Sequence, residues 1–283
     1  MKIGVSLPIR ELENDLDSIK QFAIMAEELG FNHLRIPDQV IRPNNEHLHE
    51  PLTLLSYLAG FTSRIELVPS VIILPLRKTV EFARQSTGLD ILSGGRLRLG
   101  IGVGSSKDEY RFSNANFQQR GLICDEQMSL LNQLWQQGKV NYKGRWHEIS
   151  DVGINPLPIQ RPIPMWIGAQ SSPAPSVIKR IAQISNGWFV LADPEHFGSL
   201  KASISSEAEK VNRNPEEIGT EAGVAVVGPR EREWQERVEG WRSRNLTHLC
   251  IRTLGGGLKS VQHLEKLSEV AKRLSKFEDF PST

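Results

Sequence analysis

The stretch LSGGRLRLGIGVGSS, residues 92–106, joins a turn, a short apolar strand and a glycine loop. Glycine loops at strand ends often hold phosphates, because backbone N–H groups can approach the anion closely. In both possible dinucleotide registers, however, the required third glycine is replaced, by Ser105 or by Lys107. No Gly-Lys-Ser/Thr follows either. The stretch therefore predicts a buried strand that ends in a glycine-lined loop of neither common nucleotide-binding type.

The rest of the chain repeats this strand followed by amphipathic helices. Buried strands are predicted at 2–7, 33–37, 65–74, 96–102, 164–168, 186–191, 221–227 and 247–253. One helix pattern runs from Asp15 to Leu29 and stops at Gly30. Eight alternations predict an α/β fold, a (β/α)8 TIM barrel, as a single domain over 1–283. An insertion follows strand four, at about 103–163, with a helix at 118–137 and an extended excursion over 139–163.

Composition excludes several classes of protein. The 283 residues carry 34 Lys plus Arg against 33 Asp plus Glu, a net charge of +1, which gives no support for binding nucleic acid or a membrane surface. Cys124 and Cys250 lie far apart in apolar contexts, as reduced thiols do. Met1-Lys2 leads directly into a strand pattern, and no apolar run reaches the roughly 20 residues of a membrane span. We expect a soluble, cytoplasmic protein without a signal peptide.

Two loops at the predicted barrel mouth are candidate ligand sites. Residues 168–174, GAQSSPA, follow a strand and precede a helix, which suits an anion; the alternative is an ordinary helix cap. Residues 102–106, GVGSS, would let a flat ligand lie against the backbone; the alternative is a tight strand exit.

Titratable residues offer weaker signals. His47 and His49 have a spacing that suits a metal ion, but the sequence shows no distant third ligand, so we predict no metal site. Glu109 lies in the same predicted mouth and is a candidate acid or base; a solvated loop charge is the alternative.

With these motifs assembled, the chain resembles the luciferase-like monooxygenase superfamily from Lys2 to about Leu267. The resemblance rests on LPLR at 74–77, LDILSGGRLRLGIGVG at 89–104, PIPMWIG at 162–168 and Gly187-Trp188. Further matches are Glu109, Arg120-Gly121, Asp125-Glu126 and Leu134-Trp135. These motifs are similar to those of the branch that uses the deazaflavin coenzyme F-420.

The resemblance implies a TIM barrel with a flavin or deazaflavin in its mouth. The glycine loop would flank the ring, the 168–172 loop would hold the phosphate, and a bulge within 71–74, often with a non-prolyl cis peptide in relatives, would support the ring. Together with the strand ends at the mouth, it predicts cofactor contacts from Ser6, Val71, Ile72, Ile73, Gly102, Gly104, Ser105, Gly168, Ala169, Gln170, Ser171, Ser172 and Trp188.

One position departs from the family. Many relatives carry Asp-His after strand two, whereas this chain has Asp38-Gln39. Glutamine forms hydrogen bonds but exchanges no proton near pH 7. Asp38, Gln39 and Glu109 are the catalytic candidates; His47 or His49 could supply the missing histidine, or activity has been lost.

Three functions remain open. The first is a monooxygenase that oxygenates a small organic substrate with reduced FMN, for which a flavin reductase would be the supplying partner. The second is hydride transfer with coenzyme F-420. The third is a catalytically degenerate flavin-binding barrel. A homodimer is expected from the resemblance.

Overall fold

The computed structural model describes residues 1–41, 48–277 and 280. The strands are β1 (Lys2–Ser6), β2 (His33–Ile36), β3 (Glu66–Pro69), β4 (Ile72–Ile73), β5 (Leu99–Gly102), β6 (Val140–Lys143), β7 (Glu148–Val152), β8 (Met165–Gln170), β9 (Gly187–Leu191), β10 (Gly219–Ala225) and β11 (His248–Arg252). The α-helices are α1 (Ile9–Leu12), α2 (Leu16–Glu28), α3 (Pro51–Ala59), α4 (Thr79–Leu92), α5 (Lys107–Phe112), α6 (Arg120–Gln136), α7 (Pro175–Gln183), α8 (Pro194–Glu209), α9 (Trp234–Arg242) and α10 (Ser260–Leu274).

One parallel sheet forms the barrel. Its strand order is β3-β2-β1-β11-β10-β9-β8-β5-β4. β3 and β4 are two parts of the third predicted strand; β3 pairs with β2, and β4 pairs with β5. A bridge between Leu67 and Leu97 adds a second contact across the same seam. The described residues therefore confirm the predicted TIM barrel, with eight strand positions when β3 and β4 are counted together.

The helices cover the outside of the sheet because each carries one apolar face. In α2, Ile19, Phe22, Ala23 and Ala26 are buried, and the Asp15 side chain caps the helix by accepting from the Ser18 N–H. The chain leaves this helix through Gly30 at φ 86°, a left-handed conformation that glycine adopts without steric cost. The predicted helix at 15–29 is confirmed.

The insertion after β5 contains more regular structure than the sequence indicated. α6 is close to its predicted bounds, but residues 140–152 form an antiparallel hairpin of β6 and β7 where an extended excursion was expected. Its strands are short and mostly exposed, so they lack the apolar run by which a buried strand is recognised. The hairpin tip is fixed to α6 because the Glu126 carboxylate accepts hydrogen bonds from the Trp146 N–H and from His147 Nδ1.

No helix among the residues that the structure describes is both long and apolar enough to cross a bilayer.

Candidate active site in the barrel mouth

A cluster of buried charges occupies the inside of the barrel. Glu221 of β10 is fully buried, and its two carboxylate oxygens accept hydrogen bonds from Arg35 Nη1 and Arg98 Nη1, each at 2.8 Å. Arg98 also donates through Nε to Glu66 at 2.7 Å. His33 Nε2 lies 3.3 Å from Glu221. Side chains alternate between the two faces of a strand, so these residues face inward while their neighbours pack under the helices.

The charges in this cluster stabilise each other. Burial alone would raise the pKa of Glu221, but His33, Arg98 and Arg35 hold it well below its ordinary value. The Arg98 guanidinium also lies 4.3 Å from the ring centre of Trp166, a cation–π contact. The cluster is a fixed, ionised floor beneath the mouth.

This floor is connected to the bulge between β3 and β4. Arg35 Nη2 donates to Ser70 Oγ at 2.6 Å, and the Ser70–Val71 peptide bond is cis. The bulge was predicted within 71–74, and the cis bond lies at the N-terminal edge of that range. Gly100 permits the bulge, because a Cβ there would lie 2.5 Å from the Pro69 carbonyl oxygen.

Val71 lies at the centre of the mouth, between two glycines of neighbouring strands. A Cβ on Gly102 would lie 2.5 Å from Val71 Cγ2, and one on Gly168 would lie 3.5 Å from Val71 Cγ1 and 3.9 Å from Leu191 Cδ1. Val71 is partly exposed and Leu191 is 56% exposed. The structure thus brings together three predicted cofactor residues, Val71, Gly102 and Gly168, in an apolar surface that we call the Val71 platform, with Leu191 at its edge.

The catalytic candidates after β2 are held in a hydrogen-bonded loop. Asp38 accepts from Arg77 Nη2 at 3.1 Å and from the Ile73 N–H at 3.2 Å. Glu109 is buried and accepts from the Val40 N–H at 3.0 Å. Both carboxylates therefore position the loop around Gln39. Gln39 is partly buried and makes no side-chain hydrogen bond to a described residue.

The candidate phosphate loop begins later than the sequence indicated. Ala169 and Gln170 belong to β8, where they pair with Val190 and Leu191. Ala169 is buried on the outer side of the strand, so its side chain is directed away from the mouth. The exposed loop residues are Ser171 and Ser172, and α7 is capped by Ala174 without a side-chain hydrogen bond.

Of the remaining predicted cofactor contacts, some lie at strand ends and others are buried. Ser6 ends β1 beside Arg35 and Arg252 at the mouth. Gly104 and the exposed Ser105 follow β5, whereas Ile72 and Ile73 are buried, with Ile73 held by its bond to Asp38.

The structure places Trp188 away from the mouth. Its indole is 1% exposed and stacks on Phe197 of α8, with ring centres 5.8 Å apart. The next residue, Phe189, faces the barrel interior and lies beneath the Arg35 guanidinium. The prediction of Trp188 as a cofactor contact is wrong, because a one-residue step along a strand reverses the face.

A cavity of about 280 Å³ opens beside the Val71 platform, over the strands β8 to β11. It is lined by Arg35, Ser171, Phe189, Val190, Leu191, Ala192, Asp193, Glu221, Gly223, Arg237 and Arg252. Of these residues, Ser171 was predicted from the sequence, whereas Arg35, Glu221 and Arg237 were not. A charged residue at an inward position of a buried strand was the available signal for Arg35 and Glu221.

His49, one of the two predicted histidine alternatives, does not line this cavity. His49 Nε2 lies 2.9 Å from the Glu13 carbonyl oxygen, and His47 lies outside the described residues. Within the described part of the chain, His33, Glu221 and Cys250 place ligand-type atoms within 4.8 Å of one another. Two arginines already bind the Glu221 carboxylate, and their positive charge opposes a cation at that point.

Known proteins share both the sequence pattern and the fold. The family model described as luciferase-like monooxygenase matches residues 1–273. An F420-dependent glucose-6-phosphate dehydrogenase of Amycolatopsis mediterranei is 25% identical over 222 residues, which are 75% of this chain and 66%, just under two thirds, of that relative.

Two solved structures show the same barrel. The EDTA monooxygenase EmoA of Chelativorans sp. BNC1 superposes with a TM-score of 0.81 at 12% identity, over 99% of this chain and 95% of that one. An F420-dependent secondary alcohol dehydrogenase superposes with a TM-score of 0.79 at 14% identity, over 95% and 97% of the two chains. With its sequence matched almost from end to end and its barrel shared, this chain belongs to the luciferase-like monooxygenase family, whose members are oxidoreductases.

Proposed function

We propose that this chain is a monooxygenase that uses reduced FMN to oxygenate a small organic substrate in the barrel mouth. The observation that carries the proposal is the Val71 platform. A partly exposed aliphatic side chain lies between two strands whose facing residues, Gly102 and Gly168, have no side chains. Such a surface fits a flat tricyclic ring.

The surroundings of the platform also fit the cofactor. The ring would rest on Val71, and the hydroxyls of Ser171 and Ser172 would serve the phosphate, as both serines are exposed at the end of β8. Leu191 and Phe189 would exclude water from one side of the mouth. The protein's share of the work is to bind, orient and desolvate, since the cofactor carries the redox chemistry.

The overall reaction balances without a titrating side chain on the loop after β2. Reduced FMN supplies two electrons, one oxygen atom enters the substrate, the other leaves as water, and FMN is released oxidised for a separate reductase. Oxidation of an alcohol would instead need a base for the hydroxyl proton. Among the described residues of this loop and of α5, Asp38 and Glu109 are engaged with Arg77 and backbone N–H groups, and the Gln39 amide does not act as a base near pH 7. This arrangement favours oxygen chemistry.

Hydride transfer with coenzyme F-420 is the second candidate. The observation that favours it is the basic lining of the cavity, where Arg35, Arg237 and Arg252 face the mouth. A deazaflavin with an oligoglutamate tail carries more negative charge than FMN and would gain more from these arginines.

The test is an anaerobic binding titration with reduced FMN and, separately, with reduced F-420. We expect reduced FMN to bind at least about tenfold more tightly. When oxygen is then admitted to protein loaded with reduced FMN and substrate, we expect the oxygen to be consumed. Tight binding of F-420 alone would overturn the proposal in favour of hydride transfer. Binding of FMN without turnover across a broad set of organic substrates would indicate a degenerate flavin-binding barrel.

A further inference from the structure

We propose that Arg237 and Arg252 form an oxyanion-binding subsite in the cavity beside the Val71 platform, which takes a phosphate or carboxylate group. The two residues come from different elements, α9 and the end of β11, and both line the same cavity of about 280 Å³. The site lies in the same mouth as the proposed flavin site, but the arginine pair is a separate feature.

One of the two guanidiniums packs over β10. A Cβ on Gly223 would lie in ordinary contact with it, 3.4 Å from Arg252 Nε and 3.7 Å from its Cζ. Gly223 is an inward position of β10, two residues beyond Glu221, so the Arg252 side chain lies across this strand at the cavity wall.

Both guanidiniums are available to a ligand. Among the residues that the structure describes, neither Arg237 nor Arg252 donates a hydrogen bond or forms an ion pair. By contrast, the third arginine of the cavity, Arg35, is committed to Glu221 and Ser70. An arginine has five N–H donors in a fixed fork, and two unused forks on one cavity wall match the several acceptors of an oxyanion.

The nearby charges leave this wall positive. Of the two carboxylates that line the cavity, Glu221 is bound by Arg35 and Arg98. Asp193 is therefore the remaining carboxylate among the described residues that line the cavity. Outside the cavity, Glu233 is paired with Arg230 at 2.8 Å.

The pKa of Arg237 is consistent with a positively charged cavity wall. Partial burial and the positive charges of Arg230 and Arg252 lower its pKa, and Glu233 and Asp193 offset these effects only in part. A guanidinium remains charged in proteins despite such a shift. An anion between Arg237 and Arg252 would relieve their mutual repulsion.

Two ligands of the proposed reaction could bring an oxyanion to this point. One is the phosphate of the cofactor, because Ser171 lines the same cavity. The other is an anionic group on the organic substrate. The chemistry that the arginines recognise is the same in both cases, and the identification of the source, unlike the subsite itself, rests on the proposed function.

The first arm of the test uses the protein without cofactor and inorganic phosphate as the probe. The unfolding temperature is measured against phosphate concentration, with chloride at matched ionic strength, for the wild type, Arg237→Gln, Arg252→Gln and the control Arg232→Gln. Arg232 is an exposed arginine close in sequence to α9 that does not line the cavity.

We expect the wild type and Arg232→Gln to be stabilised alike, and the two cavity variants to bind phosphate about ten- to hundredfold more weakly, as for a lost charge-assisted hydrogen bond. An equal response in all four proteins, or none in the wild type, would overturn the subsite. A protein that binds no flavin can still bind phosphate in this experiment. Failure of the proposed subsite is therefore distinguishable from failure of the proposed function.

The second arm compares FMN with riboflavin, which lacks the phosphate. If the cofactor supplies the oxyanion, Arg237→Gln and Arg252→Gln weaken the binding of FMN by at least about tenfold and leave the binding of riboflavin unchanged. If the substrate is the source, FMN affinity is unchanged and FMN-loaded protein still binds phosphate through the two arginines. Either result supports the subsite. Equal losses of affinity for riboflavin and for FMN would contradict the subsite, because the arginines would then act on the ring site as a whole.

Discussion

Arg35 Nη2 lies 2.6 Å from Ser70 Oγ, and the other terminal nitrogen of the same guanidinium lies 2.8 Å from Glu221. One side chain therefore links the buried charge cluster to the bulge that carries Val71. The position of the Val71 platform depends on charges on the opposite side of the barrel, because Arg35 is held in place by Glu221.

Replacement of Glu221 by Gln should destabilise the fold. The change leaves the buried Arg98 and the partly buried Arg35 without their shared carboxylate, which costs about 3–5 kcal/mol for a broken buried pair. Because the pKa of Glu221 lies well below its ordinary 4.5, its contribution is fully present above that value and is lost only as the pH falls through the lower, folded-state pKa. Urea unfolding at pH 7 measures the loss.

Glu207→Gln is the matched control for that experiment. Glu207 forms an i,i+3 pair with Lys210 at the surface, where such pairs contribute little. An equal loss of stability in the two variants would contradict the role assigned to Glu221.

The two glycines beside Val71 should differ in their tolerance of a methyl group. In Gly102→Ala the new Cβ would lie 2.5 Å from Val71 Cγ2, so the platform must shift, whereas in Gly168→Ala the contact is an ordinary 3.5 Å. We expect Gly102→Ala to weaken the binding of reduced FMN by at least about tenfold and Gly168→Ala to change this affinity by less. Fluorescence titration of both variants measures this; identical affinities would argue against the platform as the ring site.

A carboxylate at position 168 should abolish cofactor binding. Gly168 lies in ordinary contact distance of Val71 and Leu191, so Gly168→Asp would place bulk and negative charge on the Val71 platform, where the ring is proposed to rest. Gly168→Asn has the same size without the charge, and we expect it to retain more affinity. If Gly168→Asp folds and binds FMN as the wild type does, the ring lies elsewhere.

The Gln39→His variant should leave cofactor affinity within about tenfold, roughly 1.4 kcal/mol. Gln39 makes no side-chain hydrogen bond to a described residue, and its loop is held by Asp38 and Glu109 instead. A binding titration with reduced FMN is the measurement. A much larger loss would mean that Gln39 contacts the cofactor directly.

His248 should make the protein sensitive to mild acid. Burial, with the charges of Arg98 and His33 nearby, lowers the pKa of His248 from 6.5 to about 2. Between these values the unfolded chain binds a proton that the folded chain does not, so stability falls as the pH is lowered, by at most about 1.4 kcal/mol per pH unit.

Urea unfolding of the wild type and of His248→Gln at pH 6.5 and pH 5 tests this. The variant should lose less stability across that interval, because it lacks the group that must stay neutral on folding. Equal slopes for the two proteins would show that folding does not lower the pKa of His248.

The sequence predicted the elements of this protein well and the directions of its side chains less well. Gly102 and Gly168 were predicted at the mouth because the carboxyl ends of parallel strands meet there. Gly102 ends β5, whereas β8 continues beyond Gly168 to Gln170. Trp188 was assigned to the same mouth, yet Phe189 is the residue that faces the interior. A strand pattern that is apolar on both faces carries no information on which residue points inward.

The order of strands and helices, and with it the barrel, was determined by the sequence alone, because apolar periodicity and glycine positions act over short stretches of chain. Only the tertiary structure decided which charges meet. Arg98 and Glu221 are 123 residues apart in sequence and 2.8 Å apart in the barrel, and Arg237 and Arg252 share a cavity although they lie on different elements. Closure of a parallel sheet brings distant strands together, and the register of each strand then selects the residues that face one another.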